Sequence, residues 1–523
     1  MKQVFHIFLK DVRRYWRESA VSIALTIAFG WNEVREWSHQ NPFGSDFVEF
    51  FTSKYLLGLV VVLLPVSWAF MVVRVTHGET LVGDRQFWVT RPYEWKKLLG
   101  AKVLYALAFV NLPLAALQVY LLSKAGFHPA IYAAGLFWMQ VSIALYLLLP
   151  VAVLAVVTST IVQVLLASLI IALYVGGMVA LSTQVPSSSF SSSSDWFSGG
   201  LVVGAAWSII FLQYARRDTV KSRWLMVGLA IMLFLILVGT PYKPLVERDF
   251  PQLGSGEPAP VQMVLLPPEN PEGLGVFNKD GEAQVQLPMS VAGIAPGEII
   301  QVDGVLVEIR SPHGMPWDPG WTSPGLVLYP DQKTTQVDFS IKKDLFERIK
   351  ALPVHIRTSI AFTVFRERNR RDFIVPTSEF AMADAGLCSV ESRYVRKIQC
   401  RAPVHGPASL LLSTDMSTST CPLEKGDVPA SSGEIARSWT RNDNSAPTEP
   451  GISPVKNIDF YFSYANSASH QRRSGICPAS PLVLSNPEAV ARNRIVLDAD
   501  GVRLVDYQTK QMAITIDGFA IGR

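Results

Sequence analysis

Residues 125–194 read AGFHPAIYAAGLFWMQVSIALYLLLPVAVLAVVTSTIVQVLLASLIIALYVGGMVALSTQVPSSSFSSSS and contain no Asp, Glu, Lys or Arg. A bilayer's hydrocarbon core is about 30 Å thick, so one crossing helix needs roughly 20 apolar residues. A charge at its centre costs several kcal/mol. The stretch therefore predicts two membrane spans, Ile131–Val157 and Ile161–Leu181, separated by Thr158, Ser159 and Thr160. Pro186 and the run Ser187–Ser194 predict a polar loop after the second.

Working outward, four more charge-free stretches each have the length of one span. They lie between Lys54 and Arg74, Lys102 and Lys124, Asp195 and Arg216, and Arg223 and Lys243. Ser19–Asn32 is shorter. We read it as a full, tilted span anchored at the interface by Trp31 and Trp37. A re-entrant segment is the alternative. A cleaved signal peptide fits less well, because Trp31-Asn32-Glu33 offers no small-residue cleavage site. The total is about seven spans. No acidic or basic residue falls inside the six charge-free ones, which speaks against ion-coupled carriers and voltage sensors.

An odd number of crossings puts the two ends of the chain on opposite sides. With the N-terminus in the cytoplasm, 15 Lys and Arg fall in inner segments. Three fall in outer loops between spans: Arg35, Lys54 and Lys124. That is the positive-inside pattern, and it places everything after Tyr242 outside, as expected for a protein of the bacterial inner membrane. Composition changes at the same point. Residues 1–240 carry 18 Lys and Arg against 11 Asp and Glu and hold 7 of the 34 prolines. The rest of the 523-residue chain is net acidic and proline-rich. The organisation expected is an interface helix at 1–18, a transmembrane domain at 19–242 with a cytoplasmic loop at 74–102, and two β-rich modules at 243–380 and 381–523.

Two cytoplasmic features carry functional information. In residues 2–17, Val4, Phe5, Phe8, Val12, Tyr15 and Trp16 recur at helical spacing, with Lys10, Arg13, Arg14 and Arg17 on the other side. This is a basic amphipathic helix suited to the inner membrane surface. A plain topology anchor would read the same way. The second feature is the loop His77–Lys102. It is too charged for lipid and too aromatic for a plain linker, so a surface helix that docks on a cytoplasmic protein accounts for both properties. Tyr93, Trp95, Lys96 and Lys97 would also serve as interfacial anchors.

The order of these elements resembles the ABC-2 type of ABC transporter permease over roughly residues 1–240. The order is a basic amphipathic helix, two spans, and a loop of the form Glu79…Gly83…Val89-Thr90-Arg91-Pro92…Leu98-Leu99-Gly100…Lys102 leading into a third span. The resemblance implies that the loop contacts an ATPase subunit through Glu79, Gly83, Arg91, Pro92, Lys96 and Lys97. It implies a homodimer or a paired permease, and ATP on the partner rather than on this chain, which has no Gly-x-x-x-x-Gly-Lys-Ser/Thr run. The family usually has six spans with both ends inside. Here a seventh stretch and a large outer domain follow.

From Val261 onward, period-two alternation recurs at Ala283–Leu287, Ile299–Ile309, Thr335–Ile341, Val354–Phe365, Tyr394–Arg401, Ile458–Tyr464 and Val502–Ile516. Asp-Gly pairs at 280–281, 303–304, 500–501 and 517–518 predict tight hairpins. One helix is expected, Lys342–Ala351, stopped by Pro353. Short strands with frequent turns predict β-sandwiches, two for this length, with the joint near Phe380–Gly386. Residues 421–454 read as a long loop. Cys388, Cys400, Cys421 and Cys477 all lie on the outer side, where disulfides form. Cys388–Cys400 closes a hairpin-sized loop and is favoured, with Cys421–Cys477 second. There is no Cys-x-x-Cys, His-Glu-x-x-His or Gly-x-Ser-x-Gly motif, so neither a metal site, a resident cofactor nor an enzyme is expected. The net-acidic outer half argues against a nucleic-acid partner. Two readings remain: a permease subunit driven by a separate ATPase, or a membrane-anchored outer module that binds a partner without transport.

Overall fold

The computed structural model describes residues 2–38, 47–79, 94–182, 193–239, 242–253, 260–267, 282–312, 316–374, 379–382, 384–390, 397–407, 409–415, 435–441, 451–461, 480–507, 515–516 and 519–520. The first half is helical: α1 (Lys2–Arg14), α2 (Trp16–Ser38), α3 (Phe47–His77), α4 (Trp95–Ala106), α5 (Leu112–Lys124), α6 (Ala133–Ile143), α7 (Leu149–Val157), α8 (Ile161–Ser182), α9 (Ser193–Phe211) and α10 (Thr219–Gly239). Among the described residues, six segments are long and apolar enough to cross a membrane. They are Leu56–His77, Trp95–Lys124, Ala133–Val157, Ile161–Ala180, Ser198–Arg216 and Thr219–Ile236. The charge-free stretch that opened the sequence reading breaks at residues 158–160 as expected. The polar loop expected around Pro186 lies outside the described residues.

Three of these segments contain one π-helical turn, at Leu107–Asn111, Ala144–Leu148 and Leu212–Arg216. Pro113 and Pro150 follow the first two. Proline has no N–H to donate to the carbonyl four residues back, and its ring crowds that carbonyl. A widened turn absorbs the mismatch without ending the helix.

Helix ends gather on two sides. On one side Glu18 at the start of α2 pairs with Arg74 near the end of α3, at 3.5 Å. There the His77 ring also lies 3.0 Å from the Ala155 carbonyl of α7, and the Arg223 guanidinium of α10 reaches the Val157 carbonyl at 3.5 Å. On the other side the chain meets the sheets. The Leu387 N–H donates to the Ala125 carbonyl (3.2 Å), the Gln118 side chain to the Ile452 carbonyl (2.9 Å), and the Ser453 hydroxyl to Glu33 (3.1 Å).

Helix α4 starts at Trp95, eight residues before the charge-free stretch that predicted it, so Lys102 is carried on the same continuous helix. Counting charges finds the apolar part of a helix, and the helix itself runs on past it.

The second half begins with α11 (Tyr242–Asp249), a helix that the sequence reading does not contain, and then turns to strands. These are β1 (Gln262–Leu265), β2 (Glu282–Ala292), β3 (Glu298–Arg310), β4 (Pro316–Trp317), β5 (Val327–Leu328), β6 (Thr334–Lys342) and, after α12 (Lys343–Ile349), β7 (Val354–Arg366). They continue as β8 (Arg371–Ile374), β9 (Phe380–Met382), β10 (Gly386–Val390), β11 (Lys397–Pro403), β12 (Ser409–Asp415), β13 (Ile435–Arg441), β14 (Val455–Tyr461), β15 (Pro481–Ser485) and β16 (Glu488–Val502). Sheets β1-β2-β6 and β16-β7-β3-β4 share one core, built on Val285, Leu287, Ile300, Ile360 and Phe362. Sheets β14-β11-β10-β9 and β13-β12-β15-β8 share a second, built on Ile398, Leu410, Phe460 and Leu482. The ladders between these strands are antiparallel. In β6, buried and exposed residues alternate strictly, which is the pattern that made the strand legible. β8 precedes Phe380 yet joins the second pair of sheets, and β16 returns to the first. The two pairs meet where the Phe365 ring packs edge-on against Trp439 at 5.0 Å and Arg437 pairs with Asp331 at 2.6 Å.

Two Asp-Gly hairpins are corrected. Asp303-Gly304 sits at a bulge inside β3, between Val302 and Gly304 in the register with β7. Gly501 (φ 71°) sits at a bulge between Ala499 and Val502 of β16. Glycine at positive φ suits a bulge as well as a two-residue turn, so the dipeptide alone does not separate them. Of the strand expected at Val502–Ile516, Val502 ends β16, Leu504–Tyr507 form a 3₁₀ turn and Thr515–Ile516 form a short strand, while residues 508–514 lie outside the described residues. Asp280-Gly281 and Asp517-Gly518 lie outside the described residues.

Cys388 and Cys400 face each other across β10 and β11 and form the expected disulfide. Cys421 and Cys477 lie outside the described residues, as does most of the 421–454 loop. The neighbouring Gly386 is at φ 77° and seats β10 against the helices. A Cβ there would lie 2.3 Å from the Arg401 carbonyl and 2.5 Å from the Phe127 ring. We expect Gly386→Ala to destabilise the chain by roughly 2–4 kcal/mol, from the left-handed backbone and the overpacking together. Thermal unfolding of the purified protein in detergent checks this.

Candidate functional site

The side of the helices away from the sheets carries a buried cluster of charges. Asp11 accepts from the Lys102 ammonium at 2.8 Å, Glu79 lies 3.4 Å from the same ammonium, and Lys10 donates to Glu79 at 2.6 Å. The side chains of Lys102, Asp11 and Glu79 are 9%, 2% and 3% exposed. Two cations face two carboxylates, so the cluster is neutral. Burial pushes the Asp11 carboxyl above its ordinary range, and the Lys102 charge works against that rise.

Local sequence builds the cluster. On α1, Ile7 and Asp11 share a face by their four-residue spacing, and both are buried. Ile7 packs in a core with Leu98 and Ala101 of α4, and this brings Asp11 beside Lys102, one turn beyond Leu98. Phe8 and Tyr15 enter a second core with Tyr105, and the Phe8 ring lies 6.4 Å from the Tyr105 ring. Ser19 at the start of α2 bonds the Tyr105 hydroxyl at 2.6 Å and donates to the Tyr15 carbonyl at 3.2 Å. Glu79 follows the last turn of α3 after Gly78. A Cβ on Gly78 would lie 2.1 Å from the Tyr15 hydroxyl, so the bare glycine is what lets the chain leave α3 beside α1.

Three elements are thus pinned at one point: α1, the exit of α3 and α4. Residues 80–93 connect Glu79 to Glu94, so the cluster stands at the mouth of that loop. Breaking a buried ion pair by removing one partner costs about 3–5 kcal/mol. The three elements therefore move together or separate at a large cost. Glu79, from which residues 80–93 depart, is thus tied to α1 through Lys10 and, through Lys102, to α4.

The residues expected at an ATPase contact are distributed as follows. Glu79 is buried and held within the chain by Lys10 and Lys102. Lys96 is exposed on the first turn of α4, its ammonium 5.6 Å from the Trp95 ring. Lys97 pairs with Glu94 at 2.9 Å. Gly83, Arg91 and Pro92 lie outside the described residues. The sequence reading puts Lys10 on the polar face of α1 and does not pair Asp11 or Lys102 with anything. One signal was present: Asp11 is the lone acidic residue in 1–17, and it stands four residues after Ile7, on the apolar side. Among the described residues, no group of three His, Cys, Asp or Glu is placed to hold a metal ion.

No family model and no curated protein matches this chain.

Proposed function

We propose that the chain is the membrane subunit of a transporter resembling the ABC-2 type of ABC permease, driven by a separate cytoplasmic ATPase. The observation that carries this reading is the neutral, buried Asp11–Lys102–Glu79–Lys10 cluster at the mouth of the 80–93 loop. A helix bundle that only anchors an outer domain has no need to bury a lysine and two carboxylates at that point, with the half-buried Lys10 closing the cluster. ATPase closure would push on the loop, Glu79 would carry the displacement into α1 and α4, and the path between two membrane domains would open to alternate sides. Two copies, or this chain and a paired permease, supply those domains.

The reading takes α2 as a seventh crossing. Its 23 residues span about 34 Å. Its first turn meets α3 through Glu18 and Arg74 and α4 through Ser19 and Tyr105, and its far end meets the sheet side through Glu33 and Trp37. The N-terminus is then cytoplasmic, and the two sheet pairs are extracytoplasmic β-sandwiches in which a Cys421–Cys477 bond joins the first disulfide. Arg17, Glu18, Glu33 and Arg35 at the ends of α2 keep it from standing out by hydropathy. The rival reading, an outer binding module on an inert anchor, leaves the close joints between sheets and helix ends without a purpose.

The test is purification of the full chain from native membranes in mild detergent. A P-loop ATPase subunit should co-purify, and its ATP turnover should fall several-fold when Lys102→Met breaks the cluster. Absence of any ATPase from the complex would end the proposal.

A further inference from the structure

Helix α1 has an inward and an outward side. Ile7, Phe8, Asp11 and Tyr15 pack into the membrane domain. Lys2, Phe5, His6, Leu9 and Arg13 recur at intervals of three and four residues and are all exposed. Phe5 and Leu9 are 56% and 39% exposed, and Trp16 at the start of α2 is 58% exposed. Large apolar side chains gathered on a surface outside the six span-length segments mark a contact with a membrane or a partner.

The outward side is graded. At about 100° per residue, Phe5 and Leu9 follow Phe8 around the helix, then come Lys2, Arg13 and His6, and then Lys10. The apolar edge is the one nearest the hydrocarbon. The Phe5 ring lies 6.0 Å from Phe8, and Phe8 stacks on Phe109 at 6.3 Å, inside the charge-free stretch that follows Lys102. The opposite edge points to the loop mouth, where Lys10 donates to Glu79 at 2.6 Å.

The outward cations are not neutralised among the described residues. The nearby carboxylates are taken, Asp11 by Lys102 and Glu18 by Arg74. Lys2, Arg13, Arg14 and Arg17 have no carboxylate partner among the described residues. Arg14 and Arg17 lie over the rings of Tyr15 and Trp16, at 5.4 Å and 5.6 Å. A phosphate plane above a layer of acyl chains matches this order: it neutralises the cations and covers the apolar edge. An acidic protein would match the charges alone, because the apolar edge lies on the side of Phe109, where a protein docking from the cytoplasm does not reach.

We propose that the outward face of α1 binds anionic phospholipid in preference to zwitterionic phospholipid. Phe5, Leu9 and Trp16 enter the acyl region, and Lys2, Arg13 and Arg17 hold the headgroup phosphates. Lys10, which the sequence pattern puts in the basic stripe, takes no part because Glu79 holds it. The surface is complete within one subunit, so it exists whether or not an ATPase drives the chain.

The experiment uses the full chain in phosphatidylcholine nanodiscs, with no ATP and no partner. A trace of phosphatidylglycerol bearing a diazirine near the headgroup end of one acyl chain is photolysed, and the labelled residues are mapped by mass spectrometry. Labelling should concentrate on residues 2–17. Unlabelled phosphatidylglycerol should displace the probe there at roughly a tenth of the mole fraction that phosphatidylethanolamine, a zwitterionic lipid, requires. Salt at about 0.5 M should narrow that ratio by screening exposed charge. Arg13→Gln combined with Arg17→Gln should bring the two lipids close to equality while the melting temperature stays near that of the wild type, since both side chains are exposed. Lys124→Gln, on the sheet side of the helices, should leave the ratio unchanged. The comparison of the two lipids in the wild type is decisive even if the double variant fails to fold. Equal displacement there overturns the inference, as does labelling spread evenly over the lipid-facing helices. If residues 2–17 escape the probe and are instead shielded by a co-purified cytoplasmic protein, the face is a protein dock and the inference also fails.

Discussion

Lys102→Met is expected to destabilise the membrane domain by about 3–5 kcal/mol, the cost of stranding buried charges. Methionine keeps the bulk and apolar stem of the side chain but leaves Asp11 and Glu79 as neighbouring buried carboxylates with only Lys10 between them and net negative charge. Asp11→Asn should be much milder. It is nearly isosteric, Lys102 keeps Glu79, and no carboxylate is stranded. The pH dependence has a definite sign. The folded protein holds the Asp11 proton more tightly than the unfolded chain does, because burial raises that carboxyl. Ionised Asp11 is therefore a cost that builds as pH rises from the ordinary carboxylate value toward the raised one and is fully present above it. The stability of the wild type relative to Asp11→Asn should fall as pH increases through that window. Chemical unfolding in detergent between about pH 4 and pH 7 measures both effects. If Lys102→Met and Asp11→Asn cost the same, the cluster does not hold the inner face together.

The second large effect is expected at the opposite end of the helices. Arg401 of β11 is 2% exposed; its guanidinium lies over the Trp37 ring at 5.1 Å and donates to the Trp37 carbonyl at the end of α2. Burial pulls the guanidinium below its ordinary value, with Glu379 and Glu33 opposing. Arg401→Ala removes the stacked plane and leaves a buried carbonyl without its donor, a loss of roughly 2–4 kcal/mol. The consequence should be local. Hydrogen exchange should rise at the end of α2 and at residues 451–455, while the sheet core around Ile360 and Phe362 stays protected. Arg401→Lys should recover little, because an ammonium cannot stack as the planar guanidinium does.

How much of this was legible follows from what each signal measures. Charge-free length located both spans of the opening stretch because lipid excludes unpaired charge. It underestimated α2 and α4 because their terminal charges are paired: Glu18 with Arg74, and Lys102 with Asp11 and Glu79. Those partners stand tens of residues apart, and no local pattern encodes them. Alternation found β2, β3, β6 and β7 but not β16, where five exposed residues in succession hide the period and Asp500-Gly501 imitates a turn. The Cys388–Cys400 bond was legible from spacing alone, since a short loop between two strands brings the sulfurs opposite each other. The π-turns were partly foreshadowed by Pro113 and Pro150. The cavity of about 180 Å³ that they line was not, because it needs four helical segments to converge.

On the proposed function, force enters the membrane domain through residues 80–93, beside the ion cluster. Lys96 stands exposed at the start of α4, where that loop rejoins the helices. The most direct measurement is site-specific cross-linking in native membranes from Lys96→Cys, with a short thiol-reactive cross-linker, followed by mass spectrometry of the adduct. The account predicts a cross-link to a P-loop ATPase subunit that changes in yield with ATP. An adduct with no ATPase, or a Lys96→Cys thiol labelled only by reagents applied from outside the cell, would contradict it.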